Sequence, residues 1–169
     1  VFTRTKIRAE RLARHLEQTG RRVASLHGDK TQGARTQALN GFRSGRVDVL
    51  IATDIAARGL DVEGISHVIN FDVPGSPEDY VHRIGRTARA EATGDAISLV
   101  SSEEVDAVHG IERLIGVTIP RRVVVGFEPN AETVRRFTQT AAPRAARVAS
   151  GAIRRFSPRG RGSRRSAWA

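Results

Sequence analysis

Residues 1–120 alternate between two kinds of hydrophobic pattern. Short runs rich in β-branched residues, of which residues 47–52 are the clearest, are typical of strands buried within a parallel sheet. Between them lie longer stretches with apolar residues every three to four positions, as in residues 9–16, which predict helices packed on a sheet. Five such alternations with short connections predict an α/β fold in which helices cover both faces of a central parallel sheet.

Local signals predict where these elements begin and end. Thr5 is placed to cap the first helix, and Gly20 is placed to stop it. The predicted strands cover residues 1–4, 23–26, 47–52, 67–71 and 96–100, and the later predicted helices cover residues 32–42, 80–86 and 103–114. Residues 53–59 are expected to form a polar loop with a short helical turn, and residues 121–125 are a candidate edge strand.

Charge separates the chain into two parts. The formal net charge is +10, and residues 1–120 contribute none of it because they contain 16 basic and 16 acidic residues. Residues 121–169 contain 12 basic and 2 acidic residues, which favours a polyanionic partner, nucleic acid before membrane. We expect a globular domain over residues 1–128 and an Arg-rich, largely disordered tail over residues 129–169, with a solvated linker as the alternative for the tail.

Composition excludes several kinds of protein. The chain has no cysteine, which excludes a disulfide scaffold, a thiolate metal site and a cysteine nucleophile. No apolar run approaches the length of a membrane span, so we expect no membrane partner and a cytoplasmic location. No metal-ligand pattern is present, and no metal site is predicted. Because the chain lacks methionine and Val1 lies in a predicted strand, we expect a fragment of a longer protein.

Polar clusters follow the predicted strands. Residues 27–29 and 53–61 come directly after strands, and residues 82–89 lie beside them. Ligands of parallel α/β sheets bind at the edge where the strands end. These clusters are therefore the candidate functional site.

Three arginines recur in the last cluster, at Arg83, Arg86 and Arg89. On a helix this spacing aligns their guanidinium groups along one face, which suits a phosphate ligand because each planar fork binds two oxygens. From spacing alone, a solvated arginine face paired with nearby acidic residues is the alternative.

The middle cluster offers a hydroxyl at Thr53, a guanidinium at Arg58 and an accessible amide at Gly59. These groups suit a sugar-phosphate backbone, and Asp61 suits a ribose hydroxyl. Taken alone, the cluster also fits a strand-to-helix turn capped by Asp54.

Together the segments resemble the second RecA-like domain of the DEAD-box RNA helicases of superfamily 2. The matching segments, in order, are residues 1–6 (motif IV), 32–35 (motif IVa), 52–62 (motif V) and 82–89 (motif VI, His-Arg-x-Gly-Arg-x-x-Arg). The resemblance covers about residues 1–120 and implies a three-layer αβα fold. The segment from Ile119 to Pro129 is similar to the bacterial RhlE-type branch.

The resemblance implies a role at ATP for the last cluster. Arg86 and Arg89 would reach the γ-phosphate across a cleft between two domains, with Arg86 as the arginine finger. Asp61 would contact the ATP ribose, and His82 and Arg83 would bind the nucleotide and the partner domain. No P-loop and no Asp-Glu-Ala-Asp motif is present in this chain, so ATP and Mg²⁺ are expected to bind mainly to an N-terminal RecA-like lobe. The chain alone is expected to be inactive.

The resemblance also implies sequence-independent contacts to the RNA backbone. The implied RNA-binding residues are Thr5, Lys6, Gly28, Arg35, Thr53, Arg58 and Gly59. The tail is expected to add nonspecific RNA affinity through counterion release, with Phe156 and Trp168 as candidates for base stacking. The implied activity is ATP-driven local unwinding of RNA duplexes.

Two other functions stay open at this point. A non-catalytic RNA-binding RecA-like module would keep the fold with a vestigial arginine motif, although such a module has no need of both Arg86 and Arg89. A DNA-directed superfamily 2 helicase would act on DNA, although the amino-acid sequence of residues 58–61 and 82–86 favours the RNA branch.

Overall fold

The computed structural model describes residues 1–59, 62, 65–87 and 94–139. The elements in chain order are α1 (Lys6–Gln18), β1 (Val23–Leu26), α2 (Gln32–Arg43), β2 (Val49–Ala52), α3 (Asp54–Ala57), β3 (His67–Asn70), α4 (Pro77–Ile84), β4 (Asp95–Ser98), α5 (Val105–Ile115) and α6 (Ala131–Gln139). A 3₁₀ turn at Ser102–Glu104 precedes α5. Within the described part of the chain, no helix is both long enough and apolar enough to cross a membrane.

All four strands run parallel, and the first residues of the chain complete the sheet. β1 pairs with β2, and β3 pairs with β4. Phe2 lies between the two pairs and forms parallel bridges to Ala52 and Asn70. Its amide donates to the carbonyl of Ile69 at 2.7 Å, and its own carbonyl accepts from the amide of Phe71 at 2.9 Å. The predicted strand at residues 1–4 therefore lies at the centre of the sheet.

Helices cover both faces of this sheet, because successive strand residues point to opposite sides. Ile51 packs against Ala9 and Ala13 of α1. Leu50 and Ala52 face the other side, where α2 and α3 lie. Helices α4, α5 and α6 pack around a separate apolar cluster that contains Val73, Tyr80, Val108, Ile111 and Phe137. The predicted α/β fold with a parallel sheet is confirmed.

Capping residues explain where the helices begin and end. Thr5 accepts a hydrogen bond from the amide of Arg8 at 3.2 Å, as predicted for the start of α1. Gly20 stops that helix with φ +79°, a conformation that favours glycine. Helix α4 begins where Ser76 caps it and Pro77 occupies its first position. It ends at Ile84, two residues earlier than predicted, and Gly85 caps that end.

The candidate edge strand at residues 121–125 is wrong. In this segment Val124 pairs only with Phe127, across a turn in which Gly126 has φ +85°. The β-branched run predicted a strand, but the turn folds it back on itself before it reaches the sheet. Val123, Val124 and Val125 remain exposed.

Helix α6 lies within residues predicted to belong to the largely disordered tail, and it packs against α5. Phe137 packs edge-on against His109 of α5, with ring centroids 5.8 Å apart, and lies 4.5 Å below the guanidinium of Arg121. Arg136 binds Asp106 at 2.8 Å. These contacts supply apolar burial that composition alone did not reveal. Residues 140–169 of the predicted tail lie outside the described residues.

Candidate functional site

Arg83 forms the centre of the site, and it is almost fully buried, with 2% of its surface exposed. Its Nε donates to Asp54 Oδ1 at 2.6 Å, and its Nη2 donates to Asp54 Oδ2 at 2.8 Å. Its Nη1 donates to Asn70 Oδ1 at 3.0 Å and to the backbone carbonyl of Asp72 at 2.7 Å. The guanidinium also lies 5.1 Å above the ring of Phe2. One side chain of α4 therefore binds α3, β3, the loop after β3 and the central strand segment.

The predicted role of Arg83 in binding nucleotide and the partner domain stays a prediction. In this structure its donors point at acceptors inside the domain, and its side chain is buried. Asp54, which the sequence suggested only as a cap of α3, lies in the first turn of that helix and is the partner of Arg83. We refer to the Arg83–Asp54 pair as the clamp.

The expected alignment along one helix face is wrong for Arg83 and Arg86. Helix α4 ends at Ile84 and is capped by Gly85, so Arg86 lies in the turn that follows rather than beside Arg83. A Cβ at Gly85 would lie 3.1 Å from the carbonyl oxygen of Val81, which explains the glycine at this tight exit. Arg86 is half-buried, and the next residue, Thr87, pairs with the chain at Ile65.

Of the other residues predicted to face ATP, the structure describes His82. His82 is exposed on α4. Asp61 and Arg89 lie outside the described residues.

The turn after α3 presents a cation to solvent. Arg58 ends α3 and is exposed, and its guanidinium makes no hydrogen bond or ion pair with any residue of the described segments. Gly59 follows with φ +78°, which glycine adopts without strain. Thr53, half-buried at the start of α3, makes no side-chain capping bond. This turn can therefore present Arg58 and a backbone amide to the same ligand.

Arg35 joins helix α2 to this turn. Its Nη2 donates to the backbone carbonyl of Ala56 at 3.1 Å, which uses one of its five donors. The amide of Thr53 donates to the carbonyl of Leu26 at 3.2 Å, so the ends of β1 and β2 are also held together. The polar clusters after these strands meet at one edge of the sheet.

Thr5, Lys6 and Gly28 lie near the end of β1. Lys6 Nζ lies 2.9 Å from Asp29 Oδ2, and both side chains are more than half exposed. An exposed pair of this kind contributes little to stability, so Lys6 can exchange Asp29 for another anion. The hydroxyl of Thr5 is engaged as the cap of α1, and Gly28 is exposed with open space beside its Cα.

A carboxylate that the sequence did not single out fixes the loop containing Gly28. Glu10 Oε1 lies 2.8 Å from Lys30 Nζ, accepts from Ser25 Oγ at 2.7 Å and lies 2.6 Å from His27 Nε2. The hydrogen bond from Lys30, followed by those from Ser25 and His27, lowers the pKa of Glu10 to about 2. Its contacts span 15 to 20 positions of the chain, and hydrophobic periodicity carries no signal for them.

A second carboxylate that the sequence did not single out is that of Asp72. It is 2% exposed, accepts from the backbone amide of Arg4 at 2.8 Å and binds the guanidinium of Arg8. These bonds fix the start of α1 to the loop after β3. Among the described residues, no three His, Asp or Glu side chains are grouped so that they would bind a metal ion.

Comparison with known proteins assigns the family. Residues 1–91 match the helicase conserved C-terminal domain, and the chain belongs to this family. DEAD-box ATP-dependent RNA helicase CshA of Bacillus subtilis is 50% identical over 113 residues, which are 67% of this chain and 23% of that protein. The chain spans about a quarter of the length of the curated relatives it matches.

Solved structures agree with this family. The Escherichia coli DEAD-box protein SrmB, crystallised with regulator of ribonuclease activity A, has a TM-score of 0.72 and 43% identity over 76% of each chain. Dbp5 of Saccharomyces cerevisiae bound to RNA and ADP BeF3 has a TM-score of 0.67 and 37% identity over 72% of this chain and 33% of that chain. The RecA-like C-terminal helicase fold is confirmed, whereas the RhlE-type branch stays a prediction.

Replacing Arg83 with lysine is predicted to destabilise the domain. Lysine keeps the charge but cannot form the two parallel hydrogen bonds to Asp54. The carboxylate of Asp54 and the side-chain amide of Asn70 therefore lose buried donors. We expect the free energy of unfolding to fall by roughly 3 kcal/mol, measured by urea denaturation.

Arg22→Lys is the matched control for this prediction. Arg22 also holds a carboxylate, that of Asp48, through Nε at 2.8 Å and through Nη2, but both side chains are exposed. The Arg22→Lys substitution should therefore change the free energy of unfolding little. Equal effects of the two substitutions would contradict the importance assigned to the buried clamp.

Proposed function

We propose that this chain is the second lobe of an ATP-dependent DEAD-box RNA helicase that separates RNA duplexes locally. The observation that carries the proposal is the clamp, because it fixes the turn after α3 and the turn after α4 relative to each other. In this proposal the first turn binds RNA and the second turn faces ATP. The clamp then makes the two surfaces move as one body.

In this proposal Arg86 and Arg89 act on ATP, the substrate. An N-terminal lobe holds most of the ATP together with Mg²⁺. A guanidinium at the γ-phosphate offsets the charge that develops during phosphoryl transfer. The backbone of Arg86 is held between the tight exit at Gly85 and the pairing of Thr87, so positioning the side chain costs less entropy. His82 contacts the partner lobe, and Asp61 contacts the ribose.

RNA binds along the carboxyl edge of the sheet. The guanidinium of Arg58 has no partner among the described residues. Together with the amide of Gly59 and the hydroxyl of Thr53, it suits phosphate and ribose groups, which makes binding independent of sequence. The remaining proposed RNA contacts are Thr5, Lys6, Gly28 and Arg35. The RNA-bound structure of Dbp5 and the names of the relatives support RNA over DNA and over a non-catalytic module.

In this proposal, strand separation follows because ATP and RNA bind to two surfaces of one rigid lobe. ATP and RNA bridge the two lobes, which brings Arg86 against the phosphates while the RNA edge holds one strand in a bent path. That path is incompatible with a duplex, so the complementary strand leaves. Hydrolysis and phosphate release then separate the lobes again.

Arg86→Ala in the full-length protein is predicted to lower RNA-stimulated ATP hydrolysis by about 10³-fold, because the charge developing on the phosphate is no longer offset. RNA affinity in the presence of a non-hydrolysable ATP analogue should change little. Arg113→Ala, which removes an exposed arginine of α5, is the control and should keep wild-type turnover. Full ATPase activity of Arg86→Ala would reject the arginine-finger role, and turnover by the isolated chain would reject the two-lobe site.

Removing residues 140–169, which contain eight arginines and no acidic residue, should lower RNA affinity and flatten its salt dependence. Each lost phosphate contact lowers the slope of log K against log salt by about 0.7 for single strands. Fluorescence anisotropy at several salt concentrations measures both quantities. An unchanged slope would show that the tail is a linker without a role in binding RNA.

A further inference from the structure

An open groove of about 510 Å³ runs along the outward face of α1, with the loop after β1 as its other wall. Its lining includes Lys6, Ile7, Arg11, Arg14, His15 and Asp29. The groove begins at Lys6, on the carboxyl edge of the sheet, and continues down the helix to Gln18. It is therefore continuous with the proposed RNA surface, although helix α1 lies outside the resembled motifs from Ile7 onward.

Two arginines of the groove have charges that nothing in the described segments compensates. Arg11 and Arg14 are exposed, and neither guanidinium makes a hydrogen bond or an ion pair with any residue described here. Neighbouring arginines differ, since Arg4 binds Glu104 and Arg8 binds Asp72.

The two carboxylates in the groove already have cations of their own. Glu10 is bound by Lys30 at 2.8 Å, and Asp29 is bound by Lys6 at 2.9 Å. The positive charge of Arg11 and Arg14 is therefore available to an external anion.

We propose that this groove binds single-stranded RNA that continues beyond the edge of the sheet, with Arg11 and Arg14 on its phosphates. The inference rests on the proposed function and extends its RNA site. From Lys6 to Arg14 the helix rises about 12 Å, at 1.5 Å per residue. A stacked strand presents roughly three to four phosphates over that length, at about 3.4 Å each.

The remaining side chains favour RNA over an acidic protein segment. Ile7 is 66% exposed and offers an aliphatic surface to a ribose or base, and the imidazole ring of His15 offers a stacking surface. Arg11 and Arg14 lie one turn apart on the same helix face, so they address one linear ligand. An acidic peptide would use the two charges but would not require a path continuous with Lys6.

The test measures how RNA affinity grows with RNA length. Full-length protein is titrated with labelled oligouridines of about 6 to 20 nucleotides, in the presence of a non-hydrolysable ATP analogue. For Arg11→Gln/Arg14→Gln, we expect affinity for the longest RNA to fall about tenfold and the salt slope to fall by about 1.4. The affinity for the shortest RNA should stay at the wild-type value, and the plateau with length should come three to four nucleotides earlier, as the groove length predicts.

Arg113→Gln/Arg122→Gln is the matched control, because it removes the same charge from exposed arginines away from the groove. Equal losses of RNA affinity in the two double variants, or equal losses at all RNA lengths, would overturn the proposal that the groove binds RNA. Binding of polyglutamate that depends on Arg11 and Arg14, without a length effect in RNA, would assign the groove to a protein partner instead. Failure of the wild-type protein to bind any RNA would reject the proposed function itself, which separates the two failures.

Discussion

A single buried guanidinium determines how the working surfaces of this domain are arranged. Removing Arg83 from water carries a large desolvation cost, which is offset only because four hydrogen bonds and the face of Phe2 surround it. Asp54 keeps 34% of its side chain exposed, so the pair reaches from the core to the surface. An apolar pair of similar volume would often be equally stable. We therefore assign the clamp a positional role, in which helices α3 and α4 keep one relative orientation, as the proposed function requires.

The parallel sheet and its covering helices were predictable from the sequence. Buried strands give continuous apolar runs, helices on a sheet give a stripe, and caps such as Thr5 and Gly20 act within a few residues. The convergence of polar clusters at one edge was also predictable, because parallel strands all end on the same side. Helix α6 was not predictable, because it packs through contacts of Phe137 with His109 and Arg121. Hydrophobic periodicity does not connect these distant residues.

The chemistry of individual side chains was less predictable than their location. Arg83, Arg86 and Arg89 form one repeating pattern in the sequence, yet Arg83 turns inward to a carboxylate 29 residues away. Glu10 and Asp72 have no motif, but each fixes a segment that carries proposed RNA contacts. In each case the deciding partner is distant along the chain, and only the fold brings it close.

In the proposed function, the clamp makes the proposed RNA surface and the turn proposed to face ATP one rigid unit. The most direct test compares RNA affinity and RNA-stimulated ATP turnover of full-length Arg83→Lys with wild type, at a temperature where circular dichroism shows both to be folded. The account predicts that affinity and turnover fall together, because both turns lose their common support. A variant that loses one property and keeps the other at the wild-type value would contradict it.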